Sequence, residues 1–412
     1  VKLQQKIVFF LALVCLLGTV TNYIYLSPLL TLLLPLCIFV VNKKQLPQPI
    51  FWLYVFAAMF LLSTLIYDWH SFFVFSYYRR DGNFIISYAP LLILPLFSLE
   101  VNLKKYIRYF YLFTIFLYTV LFLYHFLVPN SFMNIHGLVF KGLFHAHNAA
   151  GGFFAVVASL GVAYFYNRRN KKELLFFVII FIVMVDTHSR GAVLGFSLAL
   201  VAWYCSITKR YKLLIGAVSI PILLTVVCLL FGYPYFKSVI STQSRVEKNV
   251  GSGISSKNAN VFIRVFYTFP RAWYLFLHSP IVGTGVGSYD DRPLKLKKVM
   301  PLVSYNAQPN KSHTNRTAHH SYLNILAEQG IMGLGVFLVF WISLYWYLMQ
   351  IRGDPIMRDF LLLAYFSNTF VAFTGHRITT PSNILPFVII LGLFMAQKKT
   401  IKLYRIEPIA DD

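Results

Sequence analysis

The chain has 412 residues, of which 58% are hydrophobic and only 12% charged, with a formal net charge of +23. An ordinary soluble domain carries about 25% charged residues, so this composition excludes that class. Nucleic acid is not expected as a partner despite the charge, because no soluble basic domain is present to hold it.

Apolar runs of membrane-spanning length recur from end to end. About twelve spans are expected, near 7–25, 27–41, 50–66, 84–99, 106–127, 149–166, 174–188, 191–207, 213–233, 331–351, 359–375 and 383–397. The first resembles the apolar core of a signal peptide, but it lacks a small-residue cleavage pattern and reads as an uncleaved span. Cys15, Cys37, Cys205 and Cys228 all fall inside apolar runs. Without CxxC spacing they read as small hydrophobes. Loops after alternate spans carry the short basic clusters, among them Lys43, Lys44, Lys104, Lys105, Arg168, Arg169, Lys171, Lys172, Lys209, Arg210, Lys398 and Lys399. The positive-inside rule then places both termini in the cytoplasm. The expected fold is an all-α, polytopic integral membrane protein in three regions. Residues 1–233 hold nine spans, 234–330 form a large external loop with amphipathic helices, and 331–412 hold three spans and a short cytoplasmic tail.

The external loop should be poor in basic residues. Instead it carries Lys237, Arg245, Lys248, Lys257, Arg264, Arg271, Arg292, Lys295, Lys297, Lys298, Lys311 and Arg316 against Glu247, Asp290 and Asp291. Topology does not require that charge, so an anionic partner outside the cytoplasm is expected. Within this loop 241–259 is rich in Ser, Gly and Asn. Over 260–279, Phe262, Phe266, Phe269, Trp273 and Phe276 recur with helical spacing, predicting an amphipathic helix along the membrane face. Gly283-Thr284-Gly285-Val286-Gly287 has the wrong spacing and context for a dinucleotide fingerprint. It predicts a tight turn where backbone approaches the membrane or a ligand.

Thr187-His188-Ser189-Arg190-Gly191-Ala192 puts an arginine at a membrane boundary, costly unless it reaches water, headgroups or a partner. Snorkelling, or an i,i+4 pair with Asp186, is the alternative. Arg264 opens the amphipathic segment with Arg271 beyond it, as solvated cations or as ligands for an anion. Thr317-Ala318-His319-His320-Ser321-Tyr322-Leu323-Asn324 continues through Glu328-Gln329-Gly330 into a span, past small residues Gly330, Gly333 and Gly335. Adjacent histidines point about 100° apart on a helix and do not easily share a metal. His313, His145 and His147 add possible ligands but no external carboxylate cluster accompanies them, so neither metal nor cofactor is expected. A histidine beside a basic surface stays neutral near pH 7 and suits proton abstraction. His147 and Asn148 close the loop before the sixth span, with Asn148 expected to N-cap that helix. His376-Arg377 adds one more external cation, as a phosphate contact or an interfacial anchor.

Three matches in order carry a family resemblance. They are Ser189-Arg190-Gly191-Ala192 at the start of a span, Arg264 with Trp273 and Pro280 ahead of Gly283-x-Gly285-x-Gly287, and His319-x-x-x-Leu323 through Glu328-x-Gly330. Over roughly residues 140–335 the chain resembles the O-antigen ligase and polymerase superfamily of bacterial envelopes. The resemblance implies a metal-independent, inverting GT-C-type glycosyltransferase in the bacterial inner membrane, its active site facing the periplasm. It implies an undecaprenyl-pyrophosphate-linked glycan donor and a lipid A–core acceptor. It puts Arg190 and Arg264 at pyrophosphate-binding positions and His319 at the general base, with His320, Arg377, His147, Asn148 and Arg271 as further substrate contacts. His320 stands where the family has Asn. The other readings are a polymerase joining lipid-linked repeats, a protein O-oligosaccharyltransferase, and a lipid or polymer transporter. Transport calls for ionisable groups or broken helices near mid-membrane, whereas this chain places its charges at the edges.

Overall fold

The computed structural model describes residues 2–21, 26–34, 46–73, 83–128, 131–132, 139–241, 264–290, 318–375 and 378–397. These residues are helical almost throughout. The helices are α1 (Lys2–Gly18), α2 (Gln48–Asp68), α3 (Asn83–Ile93), α4 (Leu103–Leu127), α5 (His147–Arg168), α6 (Lys171–Asp186), α7 (Arg190–Ile207) and α8 (Tyr211–Ser241). They continue as α9 (Phe269–His278), α10 (Ser321–Met349), α11 (Pro355–Val371) and α12 (Pro381–Ala396).

Six described helices, α2, α4, α5, α7, α8 and α10, are long and apolar enough to cross a membrane; α1, α3 and α12 are shorter apolar helices. The chain is therefore a multi-pass membrane protein, and among the described residues six of the about twelve expected spans are helices of spanning length. Other expected spans are shorter helices. At about 1.5 Å per residue, the 16 residues of α6 and of α12 reach about 24 Å, short of a hydrocarbon core about 30 Å thick. The expected second span starts as a 3-10 helix, Ser27–Leu33, with proline in its first turn.

Helix α5 forms the centre and is buried along nearly its whole length. Gly152 lets its backbone pass close to α12, because a Cβ there would strike the Asn383 side chain. Helix α11 packs against both α5 and α7, and α12 against α3 and α5. Helix α8 is the opposite case, with Leu213, Ile215, Leu223, Leu230 and Phe231 exposed. Such a face is at home against lipid tails, which are as apolar as the side chains themselves.

One end of the bundle collects the short basic loops and neutralises part of their charge. Glu173, 3% exposed, takes both Arg108 terminal nitrogens at 2.7 Å and Arg168 at 3.2 Å. The Arg108 guanidinium also lies 4.6 Å from the Tyr164 ring centroid. Asp354 N-caps α11 through the Met357 amide and pairs with Lys104 at 3.1 Å. Asp359, fully buried, accepts from Asn167 and Arg358. An isolated bridge between Leu99 and Gln397 ties the same end together. Removing one partner of a buried pair leaves an uncompensated charge and costs about 3–5 kcal/mol. Glu173→Ala should therefore lower the thermal unfolding midpoint of the detergent-solubilised protein markedly; an unchanged midpoint would contradict this role.

Candidate active site

The opposite end is organised by the turn that follows α11. The last carbonyls of α11 take the Ala372, Phe373 and Thr374 amides, as helix ends without intrahelical partners require, and other segments supply donors to the turn's own carbonyls. The Ser321 amide donates to Ala372 O at 2.9 Å, and Ser321 Oγ donates to Gly375 O at 3.1 Å. Arg264 Nη1 donates to Thr374 O at 2.8 Å. Gly191 packs so closely that a Cβ there would collide with Thr374 Oγ1. Residues flanking Arg190, Arg264 itself and the segment after His319 thus meet on one four-residue turn.

Arg190 opens α7 after a turn in which His188 takes a left-handed conformation, φ 49°. Its side chain is exposed and, among the described residues, makes no ion pair with Asp186. Arg264 begins a π-helical turn, Arg264–Thr268, leading directly into α9. The wider π turn brings Val265 O against Gly232 of α8, where no Cβ would fit. Such bulges often re-aim side chains at functional sites. Arg264 is half-buried, and burial lowers its pKa below the usual guanidinium value.

The expected amphipathic helix is present as α9 and its π turn, while residues 260–263 lie outside the described residues. Phe269, Ala272 and Leu275 form a small second core with Tyr289, Ala318, Leu323 and Ala327. The glycine run closely approaches the chain's own backbone. Gly283, Gly285 and Gly287 have φ of 75°, 99° and 83°. The Thr284 and Gly285 amides donate to Ala327 O and Glu328 O, and the Gly287 amide to Glu328 Oε1 at 3.1 Å. Helix α10 breaks at Gly330, φ 65° and ψ −166°, and its next amides, Ile331 and Met332, donate to Pro280 O and Ile281 O. Gly333 and Gly335, expected to share the turn, stay helical. The nine residues 321–329 are thereby held apart from the span that follows.

The two histidines of the pair differ sharply. His319 is half-buried in a left-handed conformation, φ 50°. His320, expected to contact substrate, is 1% exposed. It N-caps α10, its Nδ1 accepting from the Leu323 amide at 3.2 Å, while Nε2 lies 3.1 Å from Thr225 Oγ1 of α8. Both ring nitrogens are occupied within the fold.

Asn148 is not the N-cap of α5. Ala146 holds that position, and Asn148 Oδ1 instead accepts from Ser189 Oγ at 3.2 Å, linking the first turn of α5 to the Arg190 segment. His147 is the first residue of α5. Arg271 is 2% exposed, with its guanidinium 4.7 Å from the Tyr289 ring centroid and, among the described residues, no hydrogen-bond partner for Nε or Nη1. Arg377 and His313 lie outside the described residues, as do most of the long loop's cations. Sequence reasoning missed Thr374 and Thr225. The first acts through a carbonyl, which carries no residue-type signal, and the second lies deep in an apolar run.

Residues 175–338 match a family model described as O-antigen ligase. This domain, 164 of the 412 residues, supports membership in the O-antigen ligase superfamily. The matched stretch contains Arg190, Arg264 and His319 but not the turn on which they are gathered. No curated protein matches the chain.

Burial pushes the His320 pKa down from 6.5 to about 3. Its folded value lies below the unfolded one, so the unfolded state binds more protons between them. The stabilisation is complete above about pH 6.5 and erodes toward pH 3, at about 1.4 kcal/mol per unit. Lowering pH from 7 to 5 should therefore depress the unfolding midpoint more in the unsubstituted protein than in His320→Asn. Equal depression would contradict the assignment.

Proposed function

We propose that the chain is an O-antigen ligase, transferring polysaccharide from undecaprenyl pyrophosphate to a sugar hydroxyl of lipid A–core, without a metal and with inversion. The observation that carries this is the gathering of the Arg190, Arg264 and His319 segments on the Ala372–Gly375 turn. That end of the bundle is assigned to the periplasm and the end with the short basic loops to the cytoplasm, as the positive-inside rule directs.

In the proposed reaction His319 takes the proton of the acceptor hydroxyl as its oxygen attacks the anomeric carbon. The bond from that carbon to the pyrophosphate oxygen breaks, and the departing lipid pyrophosphate gains negative charge. Fixed guanidiniums stabilise that developing charge more than the ground state. One unit-charge pair at about 4 Å and an effective dielectric of about 20 is worth about 4 kcal/mol. A guanidinium remains protonated even where burial lowers its pKa, so Arg264 keeps its charge. Arg271 is assigned to the same anion, whose oxygens would supply the acceptors that its Nε and Nη1 lack. His147, Asn148 and Arg377 are assigned to the substrate-binding rim.

A transporter also uses broken helices, and α10 is broken. Its break is closed by backbone from the glycine run, which favours chemistry at the edge over a path through the middle. Arg190→Ala, Arg264→Ala and His319→Ala should each leave the protein folded and reduce reconstituted glycan transfer by about 10²-fold or more. Normal transfer in all three would overturn the site, and chelators should leave the rate unchanged. A deletion strain separates the ligase from the polymerase reading. Loss of the whole envelope glycan ladder, with lipid-linked polymer accumulating, supports the ligase, whereas a surviving single-repeat band would point to the polymerase.

A further inference from the structure

We propose that His320 and Thr225 form a clamp that holds His319 in its left-handed conformation, making both of them positioning residues for proton transfer. The inference rests on the reading of His319 as the base. A non-glycine residue at φ 50° is strained, and such strain persists only where the surroundings over-determine it.

Here they do so from both sides. Upstream, the Ala318 amide donates to Asn324 Oδ1 at 3.1 Å, and Ala318 O accepts from Thr268 Oγ1 at 3.0 Å. Tyr289 continues that side, its hydroxyl donating to Thr268 O at 3.0 Å. Downstream, His320 is fixed through both ring nitrogens. Because Nδ1 accepts from the Leu323 amide, the proton of the neutral ring sits on Nε2. Thr225 Oγ1 completes the chain. Its own hydrogen goes to Pro221 O at 2.8 Å, leaving a lone pair to accept from His320 Nε2 at 3.1 Å. Every donor has an acceptor, and only one tautomer satisfies the set. The rings of Phe269 and Phe373 stand edge-on to the imidazole at 5.3 and 5.2 Å.

The clamp runs from a membrane helix to the residue beside the base. His319 cannot relax without breaking a bond from α8 or uncapping α10. Asparagine would preserve the part of this device that caps the helix, since Asn is among the best N-cap residues and its Oδ1 can receive the Leu323 amide.

The test combines ring-nitrogen spectroscopy and kinetics on the full chain in nanodiscs. With ¹⁵N-labelled histidine at pH 7, His320 should show a protonated Nε2 and a bare Nδ1, and Thr225→Val should shift the Nε2 resonance. A protonated Nδ1 or a resonance blind to Thr225→Val would overturn the clamp, whatever reaction the protein performs. In the transfer assay His320→Ala should cut kcat about 100-fold with KM little changed, as a displacement near 1 Å does. Thr225→Val should cut it about fivefold, the equivalent of one hydrogen bond. His320→Asn should recover most of the rate lost in His320→Ala. Wild-type kcat in both His320→Ala and Thr225→Val, with His319→Ala inactive, would sink the clamp and spare the base. Full activity in His319→Ala would sink the reading of the base while the spectra still decide the clamp.

Discussion

The arrangement depends on a need common to every irregular turn within or near a membrane: its carbonyls require donors that lipid does not provide. In the turn after α11 the carbonyls of Thr374, Gly375 and Ala372 take them from the Arg264 guanidinium and from the hydroxyl and amide of Ser321. Satisfying one turn's backbone therefore brings together segments separated by more than a hundred residues of sequence. Glycine at 191 lets the Arg190 segment join them, and the clasp between the glycine run and Glu328 keeps the start of α10 facing the same turn.

Electrostatics divides the molecule along its length. The ion pairs between described residues, Lys104–Asp354, Arg108–Glu173, Arg168–Glu173 and Arg358–Asp359, all lie at the end with the short basic loops. There the chain supplies its own acids. At the other end Glu328, the buried carboxylate beside the site, is engaged by the Gly287 and Tyr289 amides. Arg190 is exposed, Arg264 spends one nitrogen on a carbonyl, and Arg271 retains two buried nitrogens without acceptors among the described residues. Cations left in that condition are a standing attraction for an anionic ligand, and one with several oxygens suits them best.

Much of this was legible in the sequence, because lipid enforces apolar runs and hydropathy records them. The positions of α2, α4, α5, α7 and α8, and the start of a span after Gly330, follow from that alone. Span count was less legible, since a 16-residue apolar helix and a 22-residue one look alike in composition while differing in reach. The motifs marked which segments matter but not how they meet. Three glycines near 330–335 look equivalent, yet only Gly330 faces backbone that excludes a Cβ and forces the break. His319 and His320 are equally plausible as letters. Burial and two hydrogen bonds make one of them a helix cap. Asn148 has the right chemistry for a cap, but α5 begins one residue before it. The organising turn was illegible because its work is done by main-chain oxygens.

The most direct measurement of this convergence is a cross-link between Gly191→Cys and Thr374→Cys in a background lacking the native cysteines. A Cβ at 191 would lie 3.2 Å from Thr374 Cβ, within a few tenths of an ångström of the roughly 3.5–4.5 Å that a disulfide spans. The account predicts that mild oxidation closes this bond readily in the folded, membrane-reconstituted protein. Two thiols that stay free under the same treatment would contradict it.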